Sequence, residues 1–176
     1  MWLKIVLVVV GLVVAVPAVL ALVGLFLARD HTASTTMIHA APVDRVWGLI
    51  ADPSGYARWH PGITGAQRLE DRDGAAVWRL EGERGGFAVM TEALEPEQRM
   101  VTRIVDESAF GGTWTWELEP VEGGTRLTLT ERGEVYNPIF RTLGKLFLDQ
   151  RATIEAWQTA IASALSENVG RTDASG

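Results

Sequence analysis

Hydrophobic positions follow different rules in successive parts of this chain, and each rule predicts a different element. From Ile5 to Leu27 no charged residue interrupts the run and no polar face can be drawn. As a helix rising about 1.5 Å per residue, that stretch is roughly 35 Å long, enough to cross a hydrocarbon layer of about 30 Å. A helix in a soluble core keeps a polar stripe. A signal peptide has a shorter apolar run, roughly 7–15 residues, followed by small residues at a cleavage site. Leu25-Phe26-Leu27-Ala28-Arg29 is a poor cleavage site. Residues 5–27 are therefore predicted to be an uncleaved membrane anchor. Pro17 near its middle is compatible with that, because bilayer helices tolerate proline.

After a short linker at residues 28–31 the pattern becomes that of a soluble domain. His31 to Ala41 reads as a first strand, rich in Ser and Thr, with apolar Met37 and Ile38. Pro42 suits the first turn of a helix, and Val43, Val46, Trp47 and Ile50 recur at helical spacing. Asp52-Pro53-Ser54-Gly55 breaks that helix, and Ser54 caps a second short one carrying Tyr56 and Trp59. Six strands follow, at about 63–71, 75–83, 86–95, 99–107, 112–119 and 125–134. Asp73-Gly74, Gly85-Gly86, Glu95-Pro96-Glu97, Gly111-Gly112 and Gly123-Gly124 punctuate them as turns. Such short, regular spacing predicts antiparallel hairpins.

Side chains alternate across a strand. Trp114, Trp116 and Leu118 thus share one face of "TWTWELEP", and Leu127, Leu129 and Glu131 share one face of "TRLTLTER". Asn137-Pro138 opens a long helix as N-cap and first residue. Its apolar stripe is Ile139, Phe140, Leu143, Leu146, Phe147, Ile154, Trp157, Ile161 and Leu165. Gly144 and Asp149-Gln150-Arg151 are points where it bends or divides, and Gly170 is its expected stop. A one-faced antiparallel sheet needs a cover, and this helix has the only large apolar stripe to supply one. The prediction is an α+β domain. A curved seven-stranded antiparallel sheet wraps a long C-terminal helix, with space for a cavity between them. The organisation is an anchor and linker at 1–31, one domain at 32–170 and a disordered tail at 171–176.

Composition narrows the function. The formal net charge of −6 shows no basic face of the kind that binds nucleic acid. It also argues against the domain lying flat on anionic lipid. The chain has no cysteine, which removes disulfides, thiolate metal sites and cysteine nucleophiles. His31, His39 and His60 fit no zinc spacing, and neither a phosphate-cradling glycine loop nor a G-x-S-x-G elbow occurs. No metal and no cofactor are expected. Lys4 and Arg29 flank the anchor as a tie in positive-inside counting, which the amino terminus tips towards an extracytoplasmic domain.

Four stretches carry a family resemblance: "HAAPVDRVWGLIADPSGYARWHPGI", "GGTWTWELEP", "GTRLTLTERGEVYNP" and "ATIEAWQTAIASAL". Across about residues 32–168 the chain resembles the START-like superfamily, also called SRPBCC. It is most similar to the polyketide cyclase/dehydrase-like branch. The resemblance implies a helix-grip fold and a hydrophobic small molecule or lipid as partner. It also implies that Trp59 plugs the end of the grip, that His60 bonds the turn, and that Pro61 fixes entry into the next strand. Fold does not decide chemistry, so three readings stand: a membrane-anchored ligand-binding domain, a cyclase- or dehydratase-like enzyme, and a protein-interaction module.

Candidate ligand-binding residues are Trp59, His60, Trp78, Trp114, Trp116, Glu131, Tyr136, Phe140, Phe147 and Trp157. The tryptophans serve equally as core, since aromatics dominate cores. Glu131 stands out because strand parity points a carboxylate into the apolar side, which is costly unless it is paired. Arg132, Arg141, Arg151 and Tyr136 are the partners considered, and a bulge at Gly133 would instead turn Glu131 outward. As acid or base, the enzyme reading uses Glu131, Tyr136 or His60.

Overall fold

A computed structural model of the chain describes residues 2–83, 85–147 and 149–173. Helix α1 (Trp2–Phe26) is continuous through Pro17. After three intervening residues strand β1 (Asp30–His39) begins. Helix α2 (Val43–Ile50), a 3-10 turn (Pro53–Gly55) and α3 (Tyr56–Trp59) follow. Then come β2 (Gly65–Arg68), β3 (Val77–Gly82), β4 (Gly85–Glu95), β5 (Arg99–Val105), β6 (Phe110–Val121) and β7 (Gly124–Val135). Helices α4 (Pro138–Phe147) and α5 (Gln150–Asp173) end the described chain.

The seven strands form one antiparallel sheet in the order β1-β7-β6-β5-β4-β3-β2. The first strand thus pairs with the last, and the hairpins run outward from there to β2. The concave face closes on α5, which buries Ile154, Trp157, Ile161 and Leu165 against Leu127, Leu129, Trp116 and Met100 of the sheet. This is the predicted sheet wrapped around a C-terminal helix.

Several local expectations change. Gly85-Gly86 and Gly111-Gly112 are not turns: they open β4 and lie inside β6. β2 is four residues long, and an isolated bridge between Arg72 and Ala75 closes the turn that follows it. The long helix is two helices, divided before Asp149, whose carboxylate caps α5 by accepting from the Arg151 and Ala152 N–H groups. Gly170 does not stop α5, which runs on to Asp173, so residues 171–173 of the expected tail are helical. Residues 174–176 lie outside the described residues.

The division matters for packing. The apolar stripe read as a single core face belongs to the core only in α5. In α4, Phe140 is 49% exposed, Leu146 65% and Phe147 76%. This helix packs on α1 instead. Thr142 Oγ1 donates to the Leu20 carbonyl at 2.8 Å, and Arg141 Nη1 donates to the Gly24 carbonyl at 3.1 Å. A Cβ at Gly24 would collide with the backbone of Pro138, so glycine is what lets the two helices approach.

Candidate functional site

The space between sheet and helix divides into a filled end and an open end. Trp157 fills the first, with its ring packed against Tyr56, Trp59, His60, Trp114 and Trp116 at centroid separations of 4.0–5.7 Å. The contacts with Tyr56, Trp59, Trp114 and Trp116 are edge-on, a favoured arrangement for aromatic pairs. Tyr56 donates its hydroxyl to the Ile50 carbonyl at 2.5 Å, and burial holds its pKa far above the usual tyrosine range. His60 Nδ1 accepts the Gly62 N–H at 3.1 Å, and burial pushes its pKa down. Trp59 and His60 thus plug the grip and hold the turn.

The open end is a cavity of about 1080 Å³ where β1 begins and β7 ends, under the corner between α4 and α5. The linker residues Leu27–Arg29, His31 and Ala33 of β1, and Glu131 and Val135 of β7 line it. Phe110, Phe140, Arg141, Gly144, Lys145, Asp149, Arg151 and Thr153 also line it, with Asp30, Thr32 and Ser34 of β1.

Glu131 is the polar centre of this wall. The β7 register runs unbroken through Gly133 on both sides, so no bulge turns Glu131 out. Its side chain is 17% exposed, and Oε1 lies 3.7 Å from His31 Nε2. Ala33 and Trp114 sit opposite it on the neighbouring strands. Burial raises the Glu131 pKa, opposed by the charge of His31 and by the nearby Trp114 indole N–H. Glu131 Oε2, His31 Nε2 and Trp114 Nε1 are buried without a hydrogen-bond partner. Such orphaned atoms are costly in a core, and His60 Nε2 and Trp116 Nε1 in the filled end share that state.

Local sequence builds this pocket. A Cβ at Gly133 would run into the His31 imidazole, so the glycine makes room for the ring beside the strand. None of the partners considered from sequence pairs with Glu131. Arg141 spends its guanidinium on the carbonyls of Val135, Tyr136 and Gly24, and Arg151 pairs with Glu155 at 3.1 Å. His31 was missed, though its signal was simple: once β1 is paired with β7, residues 31 and 33 share a face with Glu131.

The remaining candidates separate. Trp114 touches both halves, since it meets Trp157 on one side and lies across from Glu131 on the other. Trp59, His60, Trp116 and Trp157 form the aromatic plug. Trp78 is on β3, towards the opposite edge of the sheet, with the Arg68 guanidinium 5.4 Å from its ring centroid. The Tyr136 ring lies against Gly111 and beneath the Arg29 guanidinium, outside the cavity wall. Phe140 lines the cavity, and Phe147 does not. A second buried polar pair also went unread: Gln158 Oε1 meets His39 Nε2 at 2.8 Å, while Gln158 Nε2 donates to the Leu127 carbonyl at 3.0 Å. It ties α5 to β1 and β7 and lies outside the cavity wall.

Residues 30–168 match the sequence model of a family described as "Polyketide cyclase / dehydrase and lipid transport". Among solved structures, the Zhui aromatase/cyclase from Streptomyces sp. R1128 is 20% identical with a TM-score of 0.67, covering 80% of this chain and 96% of that one. A START superfamily protein from Mycobacterium smegmatis is also 20% identical, with a TM-score of 0.63 over 78% of this chain and 98% of its own. The di-domain aromatase/cyclase StfQ of the steffimycin biosynthetic pathway is 12% identical, with a TM-score of 0.64, covering 80% of this chain and 52% of its own. At such identities the likeness is one of fold. No curated protein matches the sequence.

Proposed function

The chain belongs to the polyketide cyclase / dehydrase and lipid transport family, and from that premise we propose that it is a membrane-anchored domain binding a hydrophobic small molecule or lipid beside Glu131. The observation that carries this reading is the cavity itself. At about 1080 Å³ it is slightly above the roughly 300–1,000 Å³ typical of ligand sites, and Glu131 and His31 lie in one wall. The apolar body of an amphiphile would lie against Phe110, Val135 and Phe140, with its hydroxyl or carbonyl end on Glu131 and His31.

The anchor reading rests on α1, whose Lys4–Phe26 span is long and apolar enough to cross a membrane and is exposed along most of its length. Tethering beside a bilayer would raise the local concentration of lipophilic molecules at the cavity. The domain is proposed to face the extracytoplasmic side.

The test is titration of full-length protein in nanodiscs with a dansyl-labelled fatty acid, followed by energy transfer from tryptophan. Binding is expected, and Glu131→Gln should weaken it roughly 10- to 150-fold, as loss of a hydrogen bond to a charged group does. No binding of this probe or of a planar polyketide-like probe would overturn the reading.

One observation favours an enzyme as the second reading. A carboxyl with a raised pKa lies 3.7 Å from an imidazole inside the cavity, and such a pair can give and take a proton. If it is catalytic, Glu131→Gln should lower turnover roughly 10²–10⁴-fold with binding kept.

A further inference from the structure

We infer that α4 is a second membrane-contacting element, immersed beside the end of α1, which sets the cavity at the bilayer interface. This rests on the reading of α1 as a span. At about 100° per residue, Leu146, Ile139, Leu143, Phe147 and Phe140 fall within one arc roughly 120° wide. Phe140, Leu146 and Phe147 of that arc are exposed, while Ile139 and Leu143 are half-buried.

The occupant follows from where α4 is fixed. Thr142 is bonded to the carbonyl of Leu20, and Arg141 to that of Gly24. Leu20 lies six residues before the end of α1 at Phe26, which is about 9 Å along the axis. If α1 spans the membrane to its end, Arg141 and Thr142 of α4 stand level with its last two turns. That is the depth, about 5–10 Å, at which an amphipathic helix lies in the boundary between headgroups and acyl chains. The polar side chains agree with such a placement. Arg141 is consumed by backbone carbonyls, and Lys145 is in the last turn and lines the cavity. Phe140 belongs to both the apolar arc and the cavity wall, so the ligand would enter from the acyl region past this ring.

The absence of cysteine makes the test direct, because each introduced cysteine is unique. Nitroxide labels are placed at Leu146→Cys and Phe147→Cys, both on exposed side chains. Leu12→Cys in α1 serves as the hydrocarbon reference. Glu122→Cys, in the β6–β7 turn at the far end of the sheet, serves as the aqueous one. Full-length protein is reconstituted into phosphatidylcholine vesicles, and collision with oxygen is compared with collision with a nickel chelate. The labels at 146 and 147 should favour oxygen several-fold over the label at 122, approaching the label at 12. Labels at 146 and 147 as accessible to nickel as that at 122, with the label at 12 in lipid, would overturn the role of α4 while the anchor stands. An aqueous label at 12 would overturn both.

Discussion

At Glu131 the unbroken register of β7 brings a carboxyl onto the face that otherwise carries Leu127 and Leu129. Burial favours its neutral form, so the native state holds this proton more tightly than the unfolded chain does, whose carboxyl titrates near 4.5. The contribution is therefore fully present below that value and is lost as pH rises through the higher folded pKa. Thermal melts across pH should show wild type losing ground to Glu131→Gln over that window. A constant difference would mean that Glu131 is solvated. His60 acts in the opposite sense: burial lowers its pKa from 6.5, so the stability it confers is present above 6.5 and is lost as pH falls through the folded value. Its replacement by asparagine should flatten the acid side of the profile and leave the Glu131 window in place.

Among the elements, α5 is the cover of the sheet and α4 is not. Trp157 is 2% exposed and meets five other rings. Trp157→Ala should cost about 3–5 kcal/mol in chemical denaturation. Gln158→Ala should cost about 1–3 kcal/mol, because it leaves the Leu127 carbonyl and His39 without the partner that ties helix to strand. A loss under about 0.5 kcal/mol, ordinary for surface sites, would show that neither residue holds α5 in place. Phe147→Ser, on the exposed arc of α4, should leave the domain's denaturation midpoint unchanged.

For the molecule as a whole, three residues separate α1 from β1, so the domain has little freedom relative to the helix that precedes it. Arg141 and Thr142 reduce that freedom further by bonding to α1 itself. The cavity, lined by Leu27–Arg29, therefore lies beside the end of α1. Full-length protein is expected to stay with membranes through an alkaline carbonate wash, and external protease should degrade the domain in intact cells. Release by the wash would refute the anchor, and protection from protease would place the domain on the other side.

The amino-acid sequence by itself determined those features that local chemistry decides. Uninterrupted apolarity marked α1, period-two alternation marked the strands, and Asn137-Pro138 marked a helix start; Asn137 Oδ1 indeed accepts the Ile139 N–H at 2.9 Å. The inward aim of Glu131 was also legible, because parity is a property of one strand. Pairing is a property of two. His31 meets Glu131 only because the first strand lies beside the last, which neither stretch encodes alone. The roles of α4 and α5 were equally hidden. An apolar stripe says that a helix face must leave water, and both helices carry one. The division before Asp149 and the close approach allowed by Gly24 turned one stripe onto the sheet and left the other beside α1. The hydrophobic effect has no direction, so only the tertiary arrangement decided where each apolar face would lie.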